Sequence, residues 1–214
     1  MKIIEDLSQL IFPTRCFGCS RLGLSICSQC RREWIPHYYR TNIKELDVHS
    51  AVIYSSTASK IILAAKENSV KGADELLIAA ILHVLLKAQL NSRYFQLVPI
   101  PSSRSSQRRR GRSFIVDITA RISEVTGIPM NDCLRTNRRV HDQSGLSKIQ
   151  RTTNLQGAFA VKVGAVVRGD LILIDDVVTT GATLREAARA LYSQGFHALG
   201  SVSAVTACVA QPLR

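Results

Sequence analysis

An α/β fold is what this sequence predicts: a parallel sheet flanked by helices, preceded by a small four-cysteine module. Three observations predict it. From residue 51 onward, short apolar runs alternate with helix-length amphipathic stretches, the pattern of strands joined by crossover helices. Leu171-Ile172-Leu173-Ile174 are four consecutive aliphatic residues, as expected of a central strand buried on both faces. Cys16, Cys19, Cys27 and Cys30 form two Cys-x-x-Cys pairs ahead of all these elements.

The elements follow in order. Residues 1–35 hold the cysteine pairs and the single Trp. Residues 36–50 are polar and mixed, and read as a linker. Ala51–Ser55 is a short strand, and Thr57–Asn68 and Ala73–Leu90 are helices separated at Gly72. Gln96–Ile100 is a strand stopped by Pro99 and Pro101, which force a defined turn. Phe114–Thr126 is a helix ended by Gly127 and Pro129. The charged stretch Thr136–Thr153 reads as a loop and Gly157–Val161 as a strand. Asp170–Ile174 is the buried strand, Ala182–Gln194 a helix ended by Gly195, and Leu199–Thr206 the last strand.

Bulk properties narrow the function classes. The 214 residues suffice for one ordinary domain plus a module, and 46% hydrophobic residues can form a core. Lys and Arg outnumber Asp and Glu by 28 to 16, so the partner expected is anionic. The longest apolar run, Leu76–Leu86, is too short for a bilayer span of about 20 residues, and the N-terminus reads as no secretory signal. A cytoplasmic protein without membrane insertion is the expectation.

The chemistry concentrates after the central strand. Asp175 and Asp176 stand at its carboxyl end, where ligands bind in parallel sheets. Thr179, Thr180, Gly181, Ala182 and Thr183 follow, immediately before a helix. Amides in a tight turn and at a helix N-terminus make an anion site, the threonine hydroxyls add donors, and glycine admits close approach of a phosphate. Paired carboxylates repel phosphate but accept hydrogen bonds from a diol, or hold Mg²⁺. Diol acceptors beside a phosphate cradle suit a ribose 5-phosphate.

This segment resembles the 5-phosphoribosyl-1-pyrophosphate (PRPP) motif of type I phosphoribosyltransferases. The wider chain resembles the ComF family, the GntX-like, competence-associated phosphoribosyltransferases. Val98-Pro99-Ile100-Pro101, Arg109-Arg110-Gly111, Asp142-Gln143-Ser144-Gly145-Leu146-Ser147, Arg151, Asn154-Leu155 and Gly157-Ala158-Phe159 follow one another in that family's order, behind the cysteine cluster. The resemblance implies a zinc-binding module over 1–35 and a type I phosphoribosyltransferase-like domain over 51–214. It implies Mg²⁺-dependent PRPP binding, activity as a glycosyltransferase acting on PRPP, and a link to DNA uptake and natural transformation. Asp175 and Asp176 would be catalytic and Thr179–Thr183 would hold the 5-phosphate. Pro99, Pro101, Ser102, Ser103, Arg109, Arg110 and Lys66 would meet pyrophosphate. Two departures stand out. Gly111-Arg112-Ser113-Phe114 replaces a common Gly-Phe-Asn-Gln, and Thr179 replaces the Asp of purine enzymes, which makes purine salvage the weaker expectation.

Arg104, Arg108, Arg109, Arg110 and Arg112 lie within nine residues, and Arg135, Arg138, Arg139, Lys148 and Arg151 add charge to the loop. A basic loop closing over pyrophosphate would neutralise the leaving group and exclude water. The rival reading is a non-catalytic protein that senses PRPP or binds single-stranded DNA along its basic face. Aromatics for base stacking are sparse, with only Phe114 and Phe159 near these segments. A PRPP-responsive regulator is weaker still, since no helix-turn-helix is evident. The four cysteines suit a closed, structural zinc site, against a redox pair or an iron–sulfur centre. Cys133 and Cys208 read as buried filler, His83 as a core or surface residue, and His141 as a loop residue within reach of a ligand.

Overall fold

The computed structural model describes residues 13–90, 94–137, 156–167, 169–196 and 201–210. The basic loop from Arg138 to Leu155, with its Asp142–Ser147 motif and His141, lies outside the described residues, as does His197.

A short helix, α1 (Ser28–Glu33), closes the cysteine module. The hairpin β1 (Tyr39–Ile43) and β2 (Leu46–Ile53) leads into α2 (Ser56–Lys66) and α3 (Lys71–Lys87). Then come β3 (Phe95–Pro99), α4 (Arg104–Arg110), α5 (Phe114–Thr126), β4 (Leu134–Thr136) and β5 (Phe159–Val161). The central strand β6 (Asp170–Val178), helix α6 (Ala182–Tyr192) and β7 (Val202–Val209) complete the fold. The main sheet has five strands in the order β1-β2-β7-β6-β3. β1 is antiparallel to β2, and every other neighbour pair is parallel. β4 and β5 form a separate antiparallel pair. The architecture is α/β, as the sequence predicts, with one antiparallel edge strand added.

Alternation along β6 sorts its side chains into two cores. Ile172 and Ile174 pack with α2, α3 and α5, where Ile61, Leu77, Ile81, Phe114, Ile118 and Ile122 are buried. Leu171 and Leu173 pack on the other face with Leu184, Ala187 and Leu191 of α6, Leu134 and Phe159. Phe114 and Phe159, the aromatics nearest the basic segments, are thus core residues. So are Cys133 and Cys208, and His83 is half-buried on α3.

Four expectations are corrected. Residues 36–50 are not a linker: Val48 and Ser50 are buried, and β2 runs parallel to β7 from the Asp47↔Ser203 pair onward. The polar look of the stretch came from its antiparallel edge partner, whose outer face is exposed. Next, β6 continues to Val178, because β7 pairs with it through Val178↔Val209, so both aspartates lie inside the strand. The arginine cluster is a helix, α4, capped by Ser103 and ended by Gly111 in the left-handed region. It has no apolar residue and so no hydrophobic period to betray it. Finally, the loop expected from Thr136 overlaps β4, which ends at that residue and whose three residues are too few to show alternation.

The cysteine module is not set apart from the domain. Cys16, Ile26, Cys30 and Trp34 belong to the same core as α2 and α3. The Trp34 indole N–H donates to the Leu76 carbonyl at 3.1 Å.

Candidate functional site

The carboxyl ends of β6 and β3 frame a cavity of about 350 Å³. Asp175, Asp176 and Val177 come from β6, Thr179 and Thr183 from the turn into α6, and Ile100, Pro101 and Ser102 from the turn after β3. Lys66, in the last turn of α2, and Ile115 of α5 close the remaining sides.

Lys66 donates to Asp176 Oδ2 at 2.5 Å. Asp176 Oδ1 accepts the Val177 amide, and Asp175 Oδ1 accepts the Asp176 amide, both at 2.9 Å. These contacts split the titration of the pair. Burial, reinforced by the neighbouring Asp176 charge, pushes Asp175 well above the carboxylate range. Burial also opposes ionisation of Asp176, but the Lys66 ammonium overcomes it and holds that carboxyl below its usual value. Burial works against the charge of Lys66 too, yet Asp176 and Asp175 raise its affinity for the proton.

The threonine turn is fixed by Gly181, whose φ of +69° favours glycine. A Cβ there would sit 2.4 Å from Ile43 Cδ1, so the β1–β2 hairpin braces the turn directly. The Thr180 hydroxyl accepts the Ala182 amide at 3.3 Å. Gly181, the N-cap of α6, has no side chain to cap the helix, so among the first-turn amides that of Ala182 is taken by the Thr180 hydroxyl instead.

Of the residues expected to bind ligand, the cavity gathers Asp175, Asp176, Thr179, Thr183, Pro101, Ser102 and Lys66. Pro99, Ser103, Thr180, Gly181 and Ala182 flank it in the same two turns without lining it. Arg109 and Arg110 lie outside the lining. The Arg110 guanidinium is nearly buried against Glu67 at 2.7 Å, with Arg109 at 3.8 Å from the same carboxylate. Arg112 bridges Asp74 at 3.0 Å and Asp117 at 3.1 Å and lies over the Phe114 ring. Ile43, Glu67 and Ile115 were missed by sequence reasoning. Their contributions depend on contacts between distant segments, and only Glu67, beside Lys66, offered any local hint.

The four Sγ atoms of Cys16, Cys19, Cys27 and Cys30 all lie within 4.8 Å of one another. A four-thiolate tetrahedron with metal–sulfur bonds of about 2.3 Å has sulfurs roughly 3.8 Å apart. The Cys19 and Cys27 sulfurs are separated by 3.6 Å. A Cβ on Gly18 would fall 2.8 Å from Cys30 Sγ, so the first knuckle closes on the cluster only with glycine there. Burial disfavours the Cys16 thiolate, but amides of Cys27, Cys19 and Gly18 outweigh it and bring that thiol down to about 6. Burial and the neighbouring sulfurs push Cys30 up instead. Four packed sulfurs shed every proton only with a cation among them, and this donor set fits zinc.

Among the described residues, no helix is long and apolar enough to cross a membrane. No family model matches the chain. A crystal structure of a hypoxanthine phosphoribosyltransferase from Staphylococcus aureus is 21% identical, with a TM-score of 0.33, over 60% of this chain and 61% of that one. Competence protein F of Haemophilus influenzae is 32% identical over 102 residues, which are 46% of this chain and 44% of that protein. The match therefore spans less than half the length of this curated relative, and across that stretch the chain is a homologue of Competence protein F.

Proposed function

We propose that this protein binds PRPP with Mg²⁺ and transfers its phosphoribosyl group to an acceptor. The observation that carries the reading is the cavity itself. It gathers a buried acid pair, a threonine turn at a helix N-terminus and the Pro101-Ser102 turn around one space of about 350 Å³. The acid pair accepts hydrogen bonds from the ribose diol, and the turn from Thr179 to Thr183 holds the 5-phosphate. The turn from Pro99 to Ser103, with Arg109 and Arg110 behind it, faces the pyrophosphate. Asp175 and Asp176 offer the hard oxygen donors that suit Mg²⁺, which when bound would neutralise pyrophosphate charge. Displacement at ribose C1 then proceeds through an oxocarbenium-like state, with pyrophosphate leaving. Zinc in the N-terminal module is structural, and the module serves the catalytic domain, whose sheet begins with β1 at Tyr39 rather than at residue 51. The similarity to Competence protein F over 102 residues supports a role connected with competence, and a cytoplasmic place and a part in DNA uptake belong to the same proposal.

Calorimetric titration of Mg²⁺-PRPP into wild type and Asp175→Asn/Asp176→Asn tests the assignment. The double variant should bind at least about tenfold more weakly, as expected when charged hydrogen-bond acceptors are lost. Equal affinity would remove the pair from the site. Pyrophosphate release with a panel of bases and amines tests the transfer. Binding without turnover, together with salt-sensitive binding of single-stranded DNA, would favour a sensor over an enzyme.

A further inference from the structure

We infer that Arg110 is a positioning residue rather than a ligand of the anion: its ion pair with Glu67 docks α4 against the end of α2 and so holds the cavity turn at Ser102. The assignment rests on the PRPP reading above, since it takes pyrophosphate as the anion beside that turn.

Helix α4 has no apolar footing. It is made only of Arg, Ser and Gln, and seven residues are too few for a helix to be stable alone. Polar contacts tie its two ends instead. At the amino end the Ser103 hydroxyl accepts the Ser106 amide at 3.2 Å, and Gln107 Nε2 donates to the Ser102 carbonyl at 3.3 Å. Ser102 lines the cavity, so the helix is joined directly to the cavity wall. At the carboxyl end Arg110 Nε and Nη2 both reach Glu67 Oε1, at 2.8 and 2.7 Å. Glu67 is the C-cap of α2, a helix whose Ala58, Ile61, Ile62 and Ala65 are buried in the main core. The pair therefore fastens a helix that buries no apolar side chain to one that buries several.

Exposure separates the two neighbouring arginines. The Arg109 side chain is 64% exposed and stands 3.8 Å from Glu67, whereas that of Arg110 is 8% exposed. Charge-assisted pairs of this length are the strong ones, and a nearly buried guanidinium is costly to leave unpaired. An anion that needed Arg110 would first have to break its bond to Glu67.

The two roles predict opposite signs. If Arg110 bound pyrophosphate directly, Glu67 would compete with the ligand, and neutralising Glu67 would tighten binding. Coulomb's law alone gives that same sign, because a negative charge near a polyanion is removed. A latch gives the reverse. Without the Glu67 charge α4 loosens, Ser102 and Ser103 lose their fixed place, and affinity falls.

The test titrates Mg²⁺-pyrophosphate calorimetrically into wild type, Glu67→Gln, Arg110→Met and the double variant. Hydrogen exchange without ligand follows the α4 region, including the Gly111 amide that bonds the Gln107 carbonyl. Each single variant should bind about tenfold more weakly, the size expected when one charge-assisted hydrogen bond to the anion is lost. The double variant should be weakened by no more than about twentyfold, because both changes break one contact, whereas independent effects would multiply to about a hundredfold. The α4 amides should exchange faster in all three variants while those of β6 are unmoved. A general loss of stability would instead speed exchange in β6 as well and leave the affinity of the folded protein unaltered. Glu67→Gln changes a partly exposed side chain without changing its shape, so it decides the matter should Arg110→Met fail to fold. Tighter or unchanged binding by Glu67→Gln, unchanged α4 exchange, or multiplied effects in the double variant overturn the role of Arg110 alone. Absence of pyrophosphate binding by wild type overturns the underlying reading, and this assignment with it.

Discussion

Gly181 carries two constraints at once. Its backbone is left-handed, and its missing side chain is replaced by Ile43 from a hairpin 138 residues earlier in the chain. Gly181→Ala should cost about 1–3 kcal/mol in backbone strain alone, before the Ile43 clash is relieved. Urea denaturation measures this, and a loss below that range would show that Ile43 moves aside freely. The glycine was legible in the sequence as part of a tight turn into a helix, because threonine, threonine and glycine before a helix have a local meaning. Its dependence on Ile43 was not legible, since nothing near residue 43 encodes a neighbour so distant. The sequence set the aspartates just beyond the strand, whereas they lie within β6, and the bond of Asp176 to Lys66 across 110 residues leaves no local mark.

At the scale of elements, α5 is tied to α3 by charge as well as by packing. Arg112 joins Asp74 on α3 to Asp117 on α5, and all but a small part of the Asp74 side chain is buried. Among the described residues Asp74 Oδ1 has no hydrogen-bond partner, so the Arg112 contact to Oδ2 is the side-chain pairing that offsets burial of that carboxylate. Arg112→Met should therefore destabilise the fold by about 3–5 kcal/mol, the usual consequence of removing one member of a buried pair. A drop of the urea midpoint with an unchanged slope would bear this out, and a change under 1 kcal/mol would count against it. This gives Arg112, which stands where the resembled family carries a different residue, a role of its own in the fold. Helices with an apolar stripe, α2, α3, α5 and α6, were readable from the sequence within a few residues. α4 was not, although Ser103 and Gly111 mark its two ends, because its interior is all Ser, Gln and Arg. The β1–β2 hairpin escaped for the opposite reason: only one of its strands is well covered, and the exposed one dilutes the pattern.

Across the whole molecule, the sulfur cluster and the α/β domain share one interior. Cys16, Cys27, Cys30 and Trp34 are buried in continuity with Ala58, Ile61, Ala73 and Leu77. Withdrawing the metal with a strong chelator should lower the melting temperature of the entire chain in one transition. A separate early transition, with the main melt unmoved, would show that the module unfolds alone. The sequence made the cluster plain through its spacing but suggested a tethered appendage, since shared burial leaves no mark in a cysteine pattern. The indole of Trp34 seated on α3 has a further consequence for dissection of the protein. Trimming the N-terminal knuckles would uncover the greasy flanks of α2 and α3 that they share a core with, so a shortened version should clump or be degraded rather than persist. Brief protease treatment, followed by mass spectrometry, should find no long-lived piece that starts near residue 51.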